Sequence, residues 1–328
     1  MKVAVVGAGS WGTTVAHLAA HNAPTTLWAR DPDLAKGIDR DHRNERYLSG
    51  YDLHPDLRAT SDMEEAVSKA DVVVMGVPTH GFRSSLRDVA TCIRPWVPIV
   101  SLSKGFEVES RLRMSEICHQ ELPGHPVAVL TGPNLAKEIL AGFAAAAVVA
   151  TQDEFIANEL RRCFRTDLFR VYTNPDVCGS EIGGALKNVV AIAAGMADGL
   201  GAGDNTRAAV ITRGLAEITR LGVALGGQES TFAGLAGMGD LVATCMSPQS
   251  RNRHVGERIG QGLLIDEVIA EMDQVAEGVK ACRVALDFGH QYDVPMPITS
   301  EVVGVCHEGN TAQEAYRGLL RQHENTRE

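Results

Sequence analysis

The chain has 328 residues, 45% hydrophobic and 22% charged, which is enough for two domains of a soluble, globular class. Its net charge of −10 excludes a general nucleic-acid binder, which needs a basic face, but leaves room for a local cationic pocket that takes an anionic metabolite. The seven cysteines (92, 118, 163, 178, 245, 282 and 306) form no CxxC pair, so zinc and dithiol redox chemistry have no support, and the odd count reads as reduced thiols of a cytoplasmic protein.

The N-terminal MKVAVVGAG runs directly into a buried-strand pattern, with no separate signal region. Val3 to Val6 is a short apolar run that stops at Gly7. Gly7-Ala8-Gly9-Ser10-Trp11-Gly12 follows, then a helical stretch from Thr13 to Asn22 and a second strand from Thr25 to Ala29. Strand, glycine turn, helix and strand in this order are the context that a dinucleotide fingerprint requires. Gly7 permits the tight turn, Gly9 lets backbone approach a pyrophosphate, Gly12 lets helix pack on strand, and the helix N-terminus faces the phosphates. After the second strand, Arg30 suits a 2′-phosphate and favours NADP, while the neighbouring Asp31 leaves NAD open. Arg40, Arg43 and Arg46 alternate with Asp39, Asp41 and Glu45 and read as a solvated mixed-charge face rather than an anion site.

Ser61-Asp62-Met63-Glu64 reads as a capping box for a helix through Lys69. Further apolar strands are expected at Val72–Val77, Pro98–Leu102, Val127–Leu130, Ala144–Ala150 and Phe169–Tyr172. Uninterrupted apolar runs separated by helices imply a parallel sheet covered on both faces. Ligands bind beyond the C-terminal ends of such strands, so the loops at Gly7–Gly12, Pro78–Gly81, Lys104 and Gly132–Asn134 are expected on one edge. The uncharged run from Ile139 to Gln152 is too short to span a bilayer, and no membrane insertion is expected.

Asn174-Pro175-Asp176 breaks the pattern, and everything after it reads as helix. The boundary is set at 1–178 for a dinucleotide-binding domain and 179–328 for a helical substrate-binding and catalytic domain. The second domain opens on EIGGALKNVVAIAAGMAD, an apolar helix whose only charge between Ile182 and Ala197 is Lys187. A lysine there must reach water, find a partner or carry a shifted pKa. Asp204 or Asn205 then caps a helix to about Leu225, on which Glu217 faces two of Arg207, Arg213 and Arg220. Three glycines crowd before Asp240, which either caps the next helix or serves the site. Ser250-Arg251-Asn252 at the following helix start makes an anion site that fits a small phosphorylated substrate. The rest reads as scaffold. It comprises amphipathic helices at Glu277–Tyr292 and Thr299–Cys306, a Thr311–Glu314 capping box, and solvated His290, His307 and His323. No HExxH or Cys/His cluster is present, so no metal is expected.

With these motifs assembled, the chain resembles the bacterial NAD(P)-dependent glycerol-3-phosphate dehydrogenases over nearly its whole length. GAGSWGTTVA, SLSKGFE, GPNLAKEI, EIGGALKNVVAIAAGMADGLG, NTRAAVITRGLAEI, FAGLAGMGDLVATC, SRNRHVGERIGQG and VAEGVKA carry the resemblance. It implies an α/β fold, a Rossmann-type doubly wound sheet followed by an all-helical C-terminal domain. It also implies reversible reduction of dihydroxyacetone phosphate to sn-glycerol 3-phosphate for glycerophospholipid synthesis, by a cytoplasmic homodimer. The family's proton acceptor falls on Lys187. Its substrate positions fall on Lys104, Gly132, Asn134, Lys187, Asp240, Ser250, Arg251 and Asn252. Its dinucleotide positions fall on Ser10, Trp11, Arg30, Lys104, Ala136, Arg251, Val275 and Glu277, beside Gly7, Gly9 and Gly12. Asn134-Leu135 departs from the serine and hydrophobic residue often found after Gly-Pro in that family. Two rivals share parts of the pattern: an oxidoreductase of the same plan acting on another hydroxy or sugar acid, and a dinucleotide sensor on a dead scaffold.

Overall fold

The computed structural model describes residues 1–272 and 276–322. They divide into two compact units, Met1–Ser103 with Leu112–Val177, and Lys104–Arg111 with Cys178 onward. The short excursion of Lys104–Arg111 into the second unit is invisible to a linear reading.

In the first unit, among the described residues, eight strands form one sheet: β1 (Val3–Val6), β2 (Thr25–Trp28), β3 (Arg58–Thr60), β4 (Val72–Met75), β5 (Ile99–Ser101), β6 (Val127–Thr131), β7 (Ala145–Ala150) and β8 (Phe169–Asn174). Their order is β3-β2-β1-β4-β5-β6-β7-β8. Successive residues of a strand face opposite sides. Val3 and Val5 therefore join one apolar cluster, with Leu27, Val72 and Val74, while Ala4 and Val6 join another, with Val73, Met75 and Ile99. Both faces are buried, which is why the runs lack polar alternation.

The expected all-parallel sheet needs one correction. β6 and β7 pair antiparallel, and the other neighbours pair parallel. The segment between β6 and β7 holds only the short helix Ala136–Leu140 and turns back at Gly142, φ +83°. β3, too short and polar to stand out in sequence, extends the sheet beyond β2. The capping box at Ser61 is also corrected: Asp62 itself caps the helix Met63–Val67, accepting from the Glu64 and Glu65 N–H groups.

The second unit is built on the helix Val177–Gly199, of which residues 179–197 are buried. By length and composition it could cross a bilayer, but 89% of its most apolar window is buried inside the protein, as a core helix requires. Its partners include the helices Gly203–Ala224, Arg251–Gly260, Glu277–Gln291 and Pro297–His307. The contact with Arg251–Gly260 is made by backbone. A Cβ on Gly195 would overlap the Arg253 carbonyl oxygen, and one on Gly256 would overlap that of Ile192. Asp198 and Arg253 tie the same crossing at 2.8 Å, and Arg207 joins Asp198 at 2.9 Å.

These contacts revise the reading of the helix Gly203–Ala224. No side chain caps its start. Arg207 pairs with Asp198 and Asp204, while Arg220 is close enough to Glu217 for its charge to act on that carboxyl. Glu217 is only 1% exposed. Its carboxylate accepts from the Ile298 and Thr299 N–H groups and the Thr299 hydroxyl, at 2.5, 3.2 and 3.1 Å. It thus satisfies the N-terminal donors of the helix Pro297–His307. Glu217→Ala should lower stability by about 3 kcal/mol, because those donors would be left buried and unpaired. Urea unfolding measures this, and a change below about 0.5 kcal/mol would show the cap to be dispensable. His307 is another correction: its Nε2 lies 2.7 Å from the Val279 carbonyl, so the ring is a bonded part of the scaffold rather than solvated.

Candidate functional site

The first unit carries a glycine turn at the point where the strand order reverses, between β1 and β4. Gly7 has φ +115°, and a Cβ there would stand 2.6 Å from the Gly76 carbonyl oxygen. A Cβ on Gly12 would overlap the Gly7 carbonyl oxygen, whereas nothing lies within 4 Å of one on Gly9. The turn is thus closed where helix meets strand and open at the middle glycine. The helix Ser10–Ala20 starts there with no side-chain cap, so its first-turn N–H groups are available to an anion. The buried Trp11 Nε1 has no partner. These features fit a dinucleotide, whose pyrophosphate Gly7, Gly9, Ser10, Trp11 and Gly12 would hold.

Arg30 is exposed. Asp31, in contrast, is occupied as the cap of the helix Pro32–Asp41. Gly132 and Asn134 follow β6 in the same unit. Gly132 has φ +129°, and a Cβ there would meet Ala146 and Ala147 of β7 at 3.2 Å. The Asn134 amide donates to the Ala146 carbonyl at 3.0 Å, and its Oδ1 is buried without a partner. Ala136 begins the short helix after it.

In the second unit three of the expected residues meet. The Lys187 Nζ donates to Asp240 Oδ1 at 2.5 Å and to the Thr244 hydroxyl at 2.7 Å. The Lys104 Nζ lies 2.6 Å from the other oxygen, Asp240 Oδ2. One carboxylate thus bridges two ammonium groups, with side-chain exposures of 8% for Lys187, 1% for Asp240 and 18% for Lys104. The glycine-rich run before Asp240 folds as a π-helical turn, Leu235–Gly239, leading into the helix Asp240–Met246. Gly183, one turn before Lys187, packs against that turn: a Cβ on it would stand 2.8 Å from the Ala236 carbonyl oxygen. Asp240 caps nothing with its side chain, which resolves the sequence-level alternative in favour of the lysine cluster.

Burial lowers the Lys187 pKa to about 8, and the Lys104 charge lowers it too, while Asp240 opposes both. An ammonium has three N–H donors. Two are used by Asp240 and Thr244. Thr244 was not singled out in sequence. It stands four residues after Asp240, on the same helix face. Its hydroxyl donates to the Asp240 carbonyl at 2.6 Å while accepting from Lys187, which fixes the direction of the amine.

Ser250 caps the helix Arg251–Gly260 by accepting from the Arg253 N–H at 3.2 Å. Arg251, exposed at the first position of that helix, is close enough to Glu277 to feel its charge. Asn252 is buried and bonded at both ends of its amide. It donates to Asn188 Oδ1 at 3.1 Å and accepts from the Gly278 N–H at 2.9 Å. It therefore ties three helices together and keeps one N–H for any further partner. Val275 lies outside the described residues.

Residues 2–157 match a family model described as NAD-dependent glycerol-3-phosphate dehydrogenase N-terminus, and residues 176–317 match the corresponding C-terminus model. The chain is 57% identical over 321 residues to glycerol-3-phosphate dehydrogenase (NAD(P)+) 2 of Sphingopyxis alaskensis, covering 98% of this chain and 96% of that protein. It is 55% identical over 323 residues to a glycerol-3-phosphate dehydrogenase (NAD(P)+) of Mycobacterium avium, covering 98% and 94%. The crystal structure of glycerol-3-phosphate dehydrogenase from Coxiella burnetii superposes with a TM-score of 0.92 at 35% identity, over 97% of this chain and 98% of that one. The chain belongs to the NAD(P)-dependent glycerol-3-phosphate dehydrogenase family.

Proposed function

We propose that the chain interconverts dihydroxyacetone phosphate and sn-glycerol 3-phosphate with NAD(P)H, and that Lys187 is its proton donor and acceptor. The observation that carries the second part is the buried Lys187–Asp240–Lys104 bridge. A dead scaffold has no reason to bear the desolvation cost of holding these charges. Family membership carries the first part.

The nicotinamide, when bound, supplies or accepts the hydride at C2. In the reducing direction Lys187 presents its third N–H to the C2 oxygen and gives up that proton as the alkoxide develops. In the oxidising direction the same nitrogen, neutral, takes the hydroxyl proton. Asp240 and Thr244 hold the amine in one orientation through both steps, and Lys104 keeps the Asp240 carboxylate paired when Lys187 is neutral. The substrate phosphate is assigned to Arg251, the Ser250 hydroxyl and the N-terminus of the helix Arg251–Gly260. The remaining Asn252 N–H is assigned to the same substrate. Lys104, Gly132 and Asn134 complete the proposed substrate contacts, and Arg30, Ala136, Glu277 and Val275 the proposed dinucleotide contacts. Family resemblance supports reading the enzyme as a cytoplasmic homodimer that supplies glycerophospholipid synthesis.

Dihydroxyacetone phosphate added to the protein with NADPH, then with NADH, should consume the reduced cofactor. Consumption with only some other carbonyl compound would support a different dehydrogenase of the same plan. No consumption with any substrate would support a sensor. Arg251→Ala should raise KM for dihydroxyacetone phosphate about 100-fold, the scale of a lost charge-assisted contact, and an unchanged KM would remove the phosphate role.

A further inference from the structure

Residues 44–47 show an organisation that their composition hides. Asn44 is fully buried, and its whole amide is used. It donates to the Ala8 carbonyl at 2.9 Å and to the Thr13 hydroxyl at 2.8 Å, and accepts from the Tyr47 N–H at 3.2 Å. Ser10 of the glycine turn donates its hydroxyl to the Tyr47 carbonyl at 3.3 Å. The segment is therefore fastened to the dinucleotide turn at both of its ends, and Arg46 sits between those two fastenings.

Arg46 reaches the end of β2. Its guanidinium lies 3.0 Å from Asp31 Oδ2 and about the Tyr47 ring, 5.8 Å from its centroid. Asp31 Oδ1 accepts from the Asp33 and Leu34 N–H groups at 2.9 and 3.4 Å. An acid that selects NAD at this point of the fold must offer its carboxylate to the ribose hydroxyls. Neither oxygen of Asp31 is uncommitted: one caps a helix and the other holds Arg46. Arg46 is paired with that carboxylate, and Arg30, exposed, precedes it in the chain.

We propose that Arg46, held by Asp31 on a segment pinned to the glycine turn, joins Arg30 in binding the 2′-phosphate of NADP(H), and that Asp31 positions this arginine instead of binding ribose. The inference rests on the dinucleotide reading of the turn and sharpens its specificity. It replaces the reading of Arg46 as one member of a solvated charge run. Arg40 and Arg43 do fit that reading, pairing with Asp41 and Asp52 on the surface. Planar guanidiniums suit phosphate because they offer paired N–H donors in a fixed geometry.

Calorimetric titration with adenosine 2′,5′-bisphosphate and with 5′-AMP tests this without turnover, since the ligands differ only in the 2′-phosphate. The protein should bind the bisphosphate at least about tenfold more tightly. Arg46→Ala and Arg30→Ala should each reduce that preference about tenfold and leave 5′-AMP affinity within about twofold. Asp31→Asn should leave 5′-AMP affinity within about twofold and reduce the preference for the bisphosphate, because Arg46 loses the carboxylate that holds it. Equal binding of the two ligands, or an unchanged preference in Arg46→Ala, would overturn the proposal. So would a loss of 5′-AMP binding in Asp31→Asn, which would make Asp31 the ribose acceptor. Binding of neither ligand, with the fold intact by circular dichroism, would overturn the dinucleotide reading beneath it.

Discussion

Lys187→Ala is expected to lower kcat roughly 10³-fold or more, the range lost with a positioned acid–base group, while leaving dinucleotide affinity unchanged. The structure makes this variant interpretable. Asp240 keeps Lys104 at 2.6 Å, so the carboxylate is not stranded without a cation, and Thr244 keeps its bond to the Asp240 carbonyl. The fold should survive, because a buried charge that burial has already pushed down in pKa is being removed rather than added. Lys187→Met preserves more of the side-chain volume and should be equally inactive. Steady-state kinetics in both directions check this, and near-normal turnover in either variant would remove Lys187 from the chemistry.

Gly256→Ala should be the most damaging methyl group in the second unit. Alanine in a helix interior is ordinarily worth up to about 1 kcal/mol over glycine. Here the added Cβ would overlap the Ile192 carbonyl oxygen and stand 2.8 Å from the Met196 N. Backbone cannot rotate away as a side-chain tip can, so the helices must separate. The cost should reach about 3 kcal/mol. The same separation shifts the start of the helix Arg251–Gly260, which carries Arg251 and Asn252, and it should raise KM for the phosphorylated substrate. Gly37→Ala is the control: Gly37 is half-buried on the helix Pro32–Asp41, nothing lies within 4 Å of the new Cβ, and a gain of up to about 1 kcal/mol is expected. Thermal unfolding of the two variants should give shifts of opposite sign. A neutral Gly256→Ala would show that the crossing tolerates more space than the backbone contacts indicate.

Local signals made much of the fold legible. β1 is read to the residue, and the Thr311–Glu314 box is formed reciprocally by Thr311 and Glu314. Apolar runs found the interior strands because both faces of the sheet are covered. What escaped was set by partners remote in sequence. Glu217 looks like a helix-surface acid facing two arginines, yet its donors are 81 and 82 residues away. Lys104 follows a strand of the first unit and packs with the second. β3 is three residues long, and only its neighbour β2 defines it. Within the site, Lys187 announced itself as a charge in an apolar helix. Thr244 did not, since a threonine carries no signal until the amine beside it is placed.

The pH dependence of kcat/KM in both directions tests the central claim most directly: reduction consumes one proton, so the two rates must diverge about tenfold per pH unit, and the pH at which that slope passes from one direction to the other reports the group that carries the proton. The Lys187 pKa is lowered to about 8. Reduction of dihydroxyacetone phosphate needs the ammonium, so its rate should be level below about 8 and fall about tenfold per pH unit above it. Oxidation of sn-glycerol 3-phosphate needs the free amine, so its rate should rise to about 8 and level off. Profiles that both break near the same pH of about 8 are the predicted result; no break between about 7 and 9.5, with one direction flat and the other keeping a slope of about tenfold per pH unit throughout, would contradict the assignment of proton transfer to Lys187.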